Sequence, residues 1–171
     1  ADTVIVNGLA GDDTVLVQPL GQQEAMLRVN SSTPLRVAQM ENITIDTGAN
    51  SVGGLDRIVV EGTSSEDSVT LKSDEVTVNQ QMFVLLQHEQ IDVHLGDGDD
   101  VLTVHPSTTV GMNVYGGDPS GSDVLNVSGS GEASVALTLP HPINGVSGVQ
   151  EDGGRPVFTS GFEQVNVDAG N

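Results

Sequence analysis

The chain has 171 residues, 36% of them hydrophobic, and carries 24 acidic residues against five basic ones, a formal charge of −19. Its length supports a packed core, and its charge excludes nucleic acid and anionic membrane surfaces as partners, because both need the opposite field. With no cysteine, neither thiol chemistry nor a disulfide framework is available.

In chain order the apolar residues fall in short alternating runs: Thr3-Val-Ile-Val6, Thr14-Val-Leu-Val17, Ala25-Met-Leu-Arg-Val29, Ile43-Thr-Ile45, Val76-Thr-Val78, Gln81-Met-Phe-Val-Leu-Leu86 and Val135-Ala-Leu-Thr-Leu139. Gly, Asn, Asp or Ser clusters separate most of them. Period-two alternation in short pieces predicts an all-β chain, and no window shows helical spacing. The expected architecture is a β-solenoid or β-roll of repeated units. A β-sandwich is the alternative, because strand count alone does not separate the two. No apolar stretch approaches a membrane span and no signal peptide is visible, so no membrane insertion is expected.

The runs recur with their surroundings. Met40-Glu-Asn-Ile-Thr-Ile-Asp46, His88-Glu-Gln-Ile-Asp-Val93 and Phe162-Glu-Gln-Val-Asn-Val-Asp168 share a Glu, at 41, 89 and 163, two positions before an alternation. Each leads to an Asp-headed strand and then to a second one; for the third, the continuation is the start of the chain, Asp2-Thr-Val-Ile-Val6. Counted from the second Asp of each unit (Asp13, Asp67, Asp123, then round the junction to Asp13), the spacings are 54, 56 and 61 residues. Three pseudo-repeats follow: 1–39 with 162–171, then 40–87, then 88–161 carrying an inserted Gly/Pro-rich segment at 128–160. Such a chain is expected to be one unit of an array or a subunit joining head to tail. The insertion is read as a surface loop or as a lateral contact between units.

The acids cluster where strands begin. Gly11-Asp-Asp-Thr-Val15, Gly54-Leu-Asp-Arg-Ile58, Gly98-Asp-Asp-Val-Leu102 and Gly121-Ser-Asp-Val-Leu125 fit Gly-x-Asp-x-hydrophobic. This pattern resembles the RTX-type calcium repeat of bacterial or archaeal cell-surface proteins, whose nonapeptide is Gly-Gly-x-Gly-x-Asp-x-hydrophobic-x. The match is partial: the leading Gly pair is complete nowhere, and the motifs are not consecutive. The resemblance implies turn carbonyls and Asp carboxylates around Ca2+, which takes six to eight oxygens. The implied ligands are Asp97, Asp99 and Asp100 first, then Asp12, Asp13, Asp118 and Asp123, with Asp56, Asp67 and Asp2 after them and Asp46 and Asp168 trailing. A cation would also relieve the self-repulsion of so acidic a chain.

Other chemistry is thinly represented. His88, Asp92 and His94 share one face of a predicted strand, read as a solvated face and not as a metal site. There is no His-Glu-x-x-His, Gly-x-Ser-x-Gly or phosphate loop, and Arg28, Arg36, Arg57, Lys72 and Arg155 do not cluster in sequence. The sequons at Asn30, Asn42 and Asn126 permit glycosylation. The expectation is therefore non-enzymatic: an extracellular structural protein of a calcium-stabilised filament, tube, sheath or adhesin stalk, whose partners are copies of itself. A calcium-dependent adhesin or ligand-binding module is the alternative, and a polysaccharide lyase-like enzyme comes third.

Overall fold

The computed structural model describes residues 2–48, 54–117, 122–129, 135–138, 147–151 and 154–168. Every element among them is a β-strand: β1 (Thr3–Asn7), β2 (Thr14–Gly21), β3 (Glu24–Val29), β4 (Leu35–Ala38), β5 (Asn42–Asp46), β6 (Arg57–Glu61), β7 (Ser68–Leu71), β8 (Glu75–Val78), β9 (Gln81–Leu86), β10 (Gln90–Gly96), β11 (Val101–Val104), β12 (Gly111–Gly117), β13 (Val124–Ser128), β14 (Val135–Thr138), β15 (Ser147–Glu151), β16 (Val157–Ser160) and β17 (Gln164–Asp168). The chain is all-β, as the alternation predicts. β14 to β16 lie in the inserted segment, much of which falls outside the described residues.

The strands form two sheets. The first has the order β1-β5-β9-β8-β7-β11-β13-β17 and the second β14-β15-β16-β12-β10-β6-β2-β3-β4. Most neighbours are parallel, for example β6 with β10, β10 with β12, and β11 with β13. A parallel pair needs a long return path between its strands. Here a strand of the other sheet supplies it: β11 connects β10 to β12, and β12 connects β11 to β13. Hairpins break the rhythm three times, at β2-β3-β4, β7-β8-β9 and β14-β15-β16.

Alternation decides what each sheet buries. Val15 and Val17, Ile58 and Val60, and Ile91, Val93 and Leu95 point inward from the second sheet, while Ile43, Ile45, Phe83, Leu85, Leu102 and Val104 point inward from the first, and all belong to one core. Each such side chain contributes about 1.5–3 kcal/mol by leaving water. At the rims the core is incompletely covered. Val4 and Val6 on β1 and Val165 on β17 are only partly buried against it, and Val167 is exposed.

Candidate functional site

The chain crosses between sheets through short turns, and the aspartates singled out in the sequence sit in them. In five of these turns one Asp points inward and is buried: Asp13, Asp56, Asp67, Asp100 and Asp123. Burying a carboxylate is costly unless its oxygens are hydrogen-bonded, and here the donors are backbone amides of the preceding turn. Asp13 N–H donates to Asp56 Oδ1 at 2.9 Å, and Asp56 N–H donates to Glu89 Oε2 at 2.7 Å. On the opposite side, Asp67 N–H donates to Asp100 Oδ1 at 2.7 Å, Asp100 N–H to Asp123 Oδ1 at 3.0 Å and Asp123 N–H to Glu163 Oε2 at 2.8 Å. The same residues are linked again through the main chain: Arg57 N–H donates to Asp13 O, Val101 N–H to Asp67 O and Val124 N–H to Asp100 O. Two carboxylate ladders thus clamp successive turns, each bond to an ionised acceptor being worth about 1.5–3 kcal/mol.

Each ladder has a distinct beginning and end. The first acceptor in line, Asp13 or Asp67, has no earlier turn to supply an amide, and its Oδ1 is taken by the side-chain NH2 of Asn30 or Asn79. These two Asn residues carry φ of 51° and 49°, a left-handed conformation that Asn tolerates better than most. Their Oδ1 atoms accept from Thr14 N–H and Ser68 N–H. The last acceptor is always Glu, and Glu41 repeats the arrangement by accepting from Asp2 N–H. The recurrent Glu41, Glu89 and Glu163 are therefore terminal rungs. Sequence reasoning missed their role and that of Asn30 and Asn79. The available signal was the fixed place of each Glu, immediately before β5, β10 and β17.

Two glycines outside the motif serve the same clamp. Gly62 lies so close to the adjoining turn that a Cβ would stand 2.0 Å from Leu95 O and 2.7 Å from Asp67 Oδ2; at Gly8 the corresponding distances are 2.3 Å to Thr47 O and 2.6 Å to Asp13 Oδ2. A side chain at either position would occupy the space of the ladder carboxylate.

The remaining expected ligands lie elsewhere. Asp12, Asp97 and Asp99 are exposed, Asp12 Oδ1 accepting from Leu55 N–H and Asp99 Oδ1 from Ser122 N–H. Asp97, Asp99 and Asp100 therefore diverge, only the last turning inward. Asp2 is exposed, and Asp46 accepts from the Gln87 amide. Asp118 lies outside the described residues. Among the described residues no group of three or more His, Cys, Asp or Glu side chains is placed to hold a metal ion.

Asp100 is the most perturbed rung. It is fully buried, and desolvation, reinforced by Asp67, Asp123 and Asp99, pushes its pKa from 3.8 up to about 6. Between those pH values the folded chain keeps a proton the unfolded chain has lost. The contribution is therefore complete below about pH 4, falls as pH rises, and leaves a charge costing at most about 3 kcal/mol at neutral pH. Asp100→Asn keeps an acceptor for Asp67 N–H and removes the charge, though its NH2 is left in a buried position, a partial offset. It should stabilise the fold by about 1 kcal/mol at pH 7 and destabilise it near pH 4. Urea unfolding at both pH values checks this, and destabilisation at both would refute the account.

The strand face carrying Asp92 and His94 is only partly solvated: His94 is exposed, as expected, and Asp92 is not. Asp92 is fully buried, ion-paired with Arg57 and accepting from Gln90 Nε2 at 2.8 Å and Asn113 Nδ2 at 2.9 Å. His94 stacks on Tyr115 with ring centroids 4.5 Å apart, and burial lowers its pKa. His88 precedes the strand, is buried, and is likewise lowered by desolvation. Comparison with known proteins finds no matching family model, curated protein or solved structure.

Proposed function

We propose that the chain is a self-assembling structural unit of the extracellular space, a β-solenoid whose copies, joined in one chain or as separate subunits, stack along a common axis into a filament, tube, sheath or stalk. The observation that carries this reading is the pair of outermost strands of the first sheet. β1 stands at one end and β17 at the other; both run in the same direction, because each is linked to the sheet through parallel pairs and one double-antiparallel hairpin. An outermost strand presents unpaired N–H and C=O groups that a further strand can complete. The partly covered Val4, Val6 and Val165 lie beside these edges. The ladders support the same reading, since they bind each turn only to its neighbours, the energetic pattern of repeat architectures.

Calcium enters the proposal at the outer carboxylates Asp12, Asp97 and Asp99, which face solvent, and not at the ladder positions Asp13, Asp56, Asp67, Asp100 and Asp123, whose carboxylates are buried. Sedimentation at rising protein concentration should show association, strengthened by millimolar calcium. Ile5→Lys combined with Val167→Lys, which places charges on the two edges, should abolish it without lowering the melting temperature. A chain that stays monomeric throughout would refute self-assembly and favour the adhesin or ligand-binding alternative. Identical behaviour in calcium and in excess chelator would remove calcium and leave assembly standing.

A further inference from the structure

The outward face of the second sheet differs from the rest of this acidic surface. Four of the five basic residues belong to it: Arg28 on β3, Arg36 on β4, Arg57 on β6 and Arg155 just before β16. Register aligns Arg57, Gln90 and Gly111 on one rung and Val59, Asp92, Asn113 and Phe158 on the next. Buried Asp92 organises the centre. It holds the Arg57 guanidinium and the NH2 groups of Gln90 and Asn113, so both amides are fixed and their carbonyl oxygens remain as acceptors.

Beside them is a cleft of about 440 Å3 floored by Gly111 and bordered by Gln90, Asn113, Arg155, Pro156 and Phe158. That volume lies in the range of small-molecule sites. Phe158 is 49% exposed, one of only three Phe residues in the chain, and its ring gives the cleft an apolar wall. Arg36 and Arg57 are ion-paired with Glu24 and Asp92. The Arg155 side chain has no ion pair or side-chain hydrogen bond among the described residues, although the chain carries 24 carboxylates. Its Nη1 is 3.9 Å from where a Gly111 Cβ would stand, so the guanidinium overhangs the cleft. Guanidinium groups match carboxylates in charge and in planar geometry.

We propose that this cleft binds an acidic saccharide, a uronate-containing oligosaccharide, with Arg155 on the carboxylate, Phe158 against the sugar ring and the Gln90 and Asn113 carbonyls on its hydroxyls. The proposal stands independently of self-assembly, since none of these residues lies on β1 or β17. Glycine at 111 keeps the cleft open. A Cβ there would meet nothing closer than 3.6 Å, so a larger side chain can fill the cleft without displacing the backbone.

The test is calorimetric titration of the full chain with oligogalacturonate and with its neutral methyl ester. The acid should bind, and the ester about tenfold more weakly. Arg155→Ala should weaken the acid by about the same factor and leave the ester unchanged. Gly111→Leu should abolish binding of both at an unchanged melting temperature. Equal affinity for acid and ester, or undiminished acid binding by Arg155→Ala, would overturn the assignment of an acidic ligand. Binding that survives Gly111→Leu would overturn the location, and absence of binding at millimolar ligand would overturn the proposal altogether.

Discussion

Gly62→Ala should destabilise the fold by about 3 kcal/mol or more, the upper range for overpacking, because what its methyl group meets is backbone. The added carbon would lie 2.0 Å from Leu95 O and 2.8 Å from Leu95 C, far inside van der Waals contact. A flexible side chain could swing aside, but this carbonyl belongs to β10, paired on both sides with β6 and β12. Relief requires the turn to withdraw, which stretches the Gly62 N–H bond to His94 O, now 2.7 Å, and disturbs Asp67 Oδ2, which accepts from Thr63 N–H at 2.6 Å. Denaturant unfolding of the variant measures the loss. A midpoint unchanged from the parent would show that the turns are not clamped as described.

Phe83→Ala should cost about 3–5 kcal/mol, the usual range for deleting a buried ring. Phe83 is fully buried on β9 and ranks among the largest side chains in the core. It pairs in register with Ile43 on β5 and Val76 on β8, at the place where the first sheet changes from parallel to antiparallel order. Strands held on both sides cannot readily collapse into the void, which argues for the upper part of that range. Phe83→Leu, which retains most of the volume, should lose much less. Equal losses in the two variants, measured by urea unfolding, would show that the pocket closes without cost.

Much of this fold was legible in the alternation. Thr14-Val-Leu-Val17 opens β2, Ile43-Thr-Ile45 lies in β5 and Val76-Thr-Val78 in β8, because a strand with one buried face must alternate. The assignment to sheets was not legible, since a parallel pair leaves no local turn signal and both sheets alternate alike. β12 was harder still: its outward positions are Gly111, Asn113 and Tyr115, an ambiguous mixture. In the turns, the positions of the buried Asp residues could be read, but their partners could not. Asp67 and Asp100 are 33 residues apart, and only knowledge of which turns adjoin turns their spacing into a hydrogen bond. The arginines, scattered in the sequence, illustrate the same limit, as positions 28, 36, 57 and 155 come onto one sheet only through the order β16-β12-β10-β6-β2-β3-β4.

The ladder bonds share one polarity. In Asp2 to Glu41, Asp13 to Asp56, Asp56 to Glu89, Asp67 to Asp100, Asp100 to Asp123 and Asp123 to Glu163, the amide always comes from the earlier turn and the carboxylate from the later one. A chain emerging from a ribosome or a secretion pore, N-terminus first, therefore always has its receptor in place before the arriving group needs it. The newest carboxylate stays hydrated until it docks on the amide already waiting, and its own turn then offers the next amide. These partners are 23 to 43 residues apart in sequence. The polarity of the ladders thus follows the direction of synthesis, each turn's carboxylate capping an amide of a turn made before it.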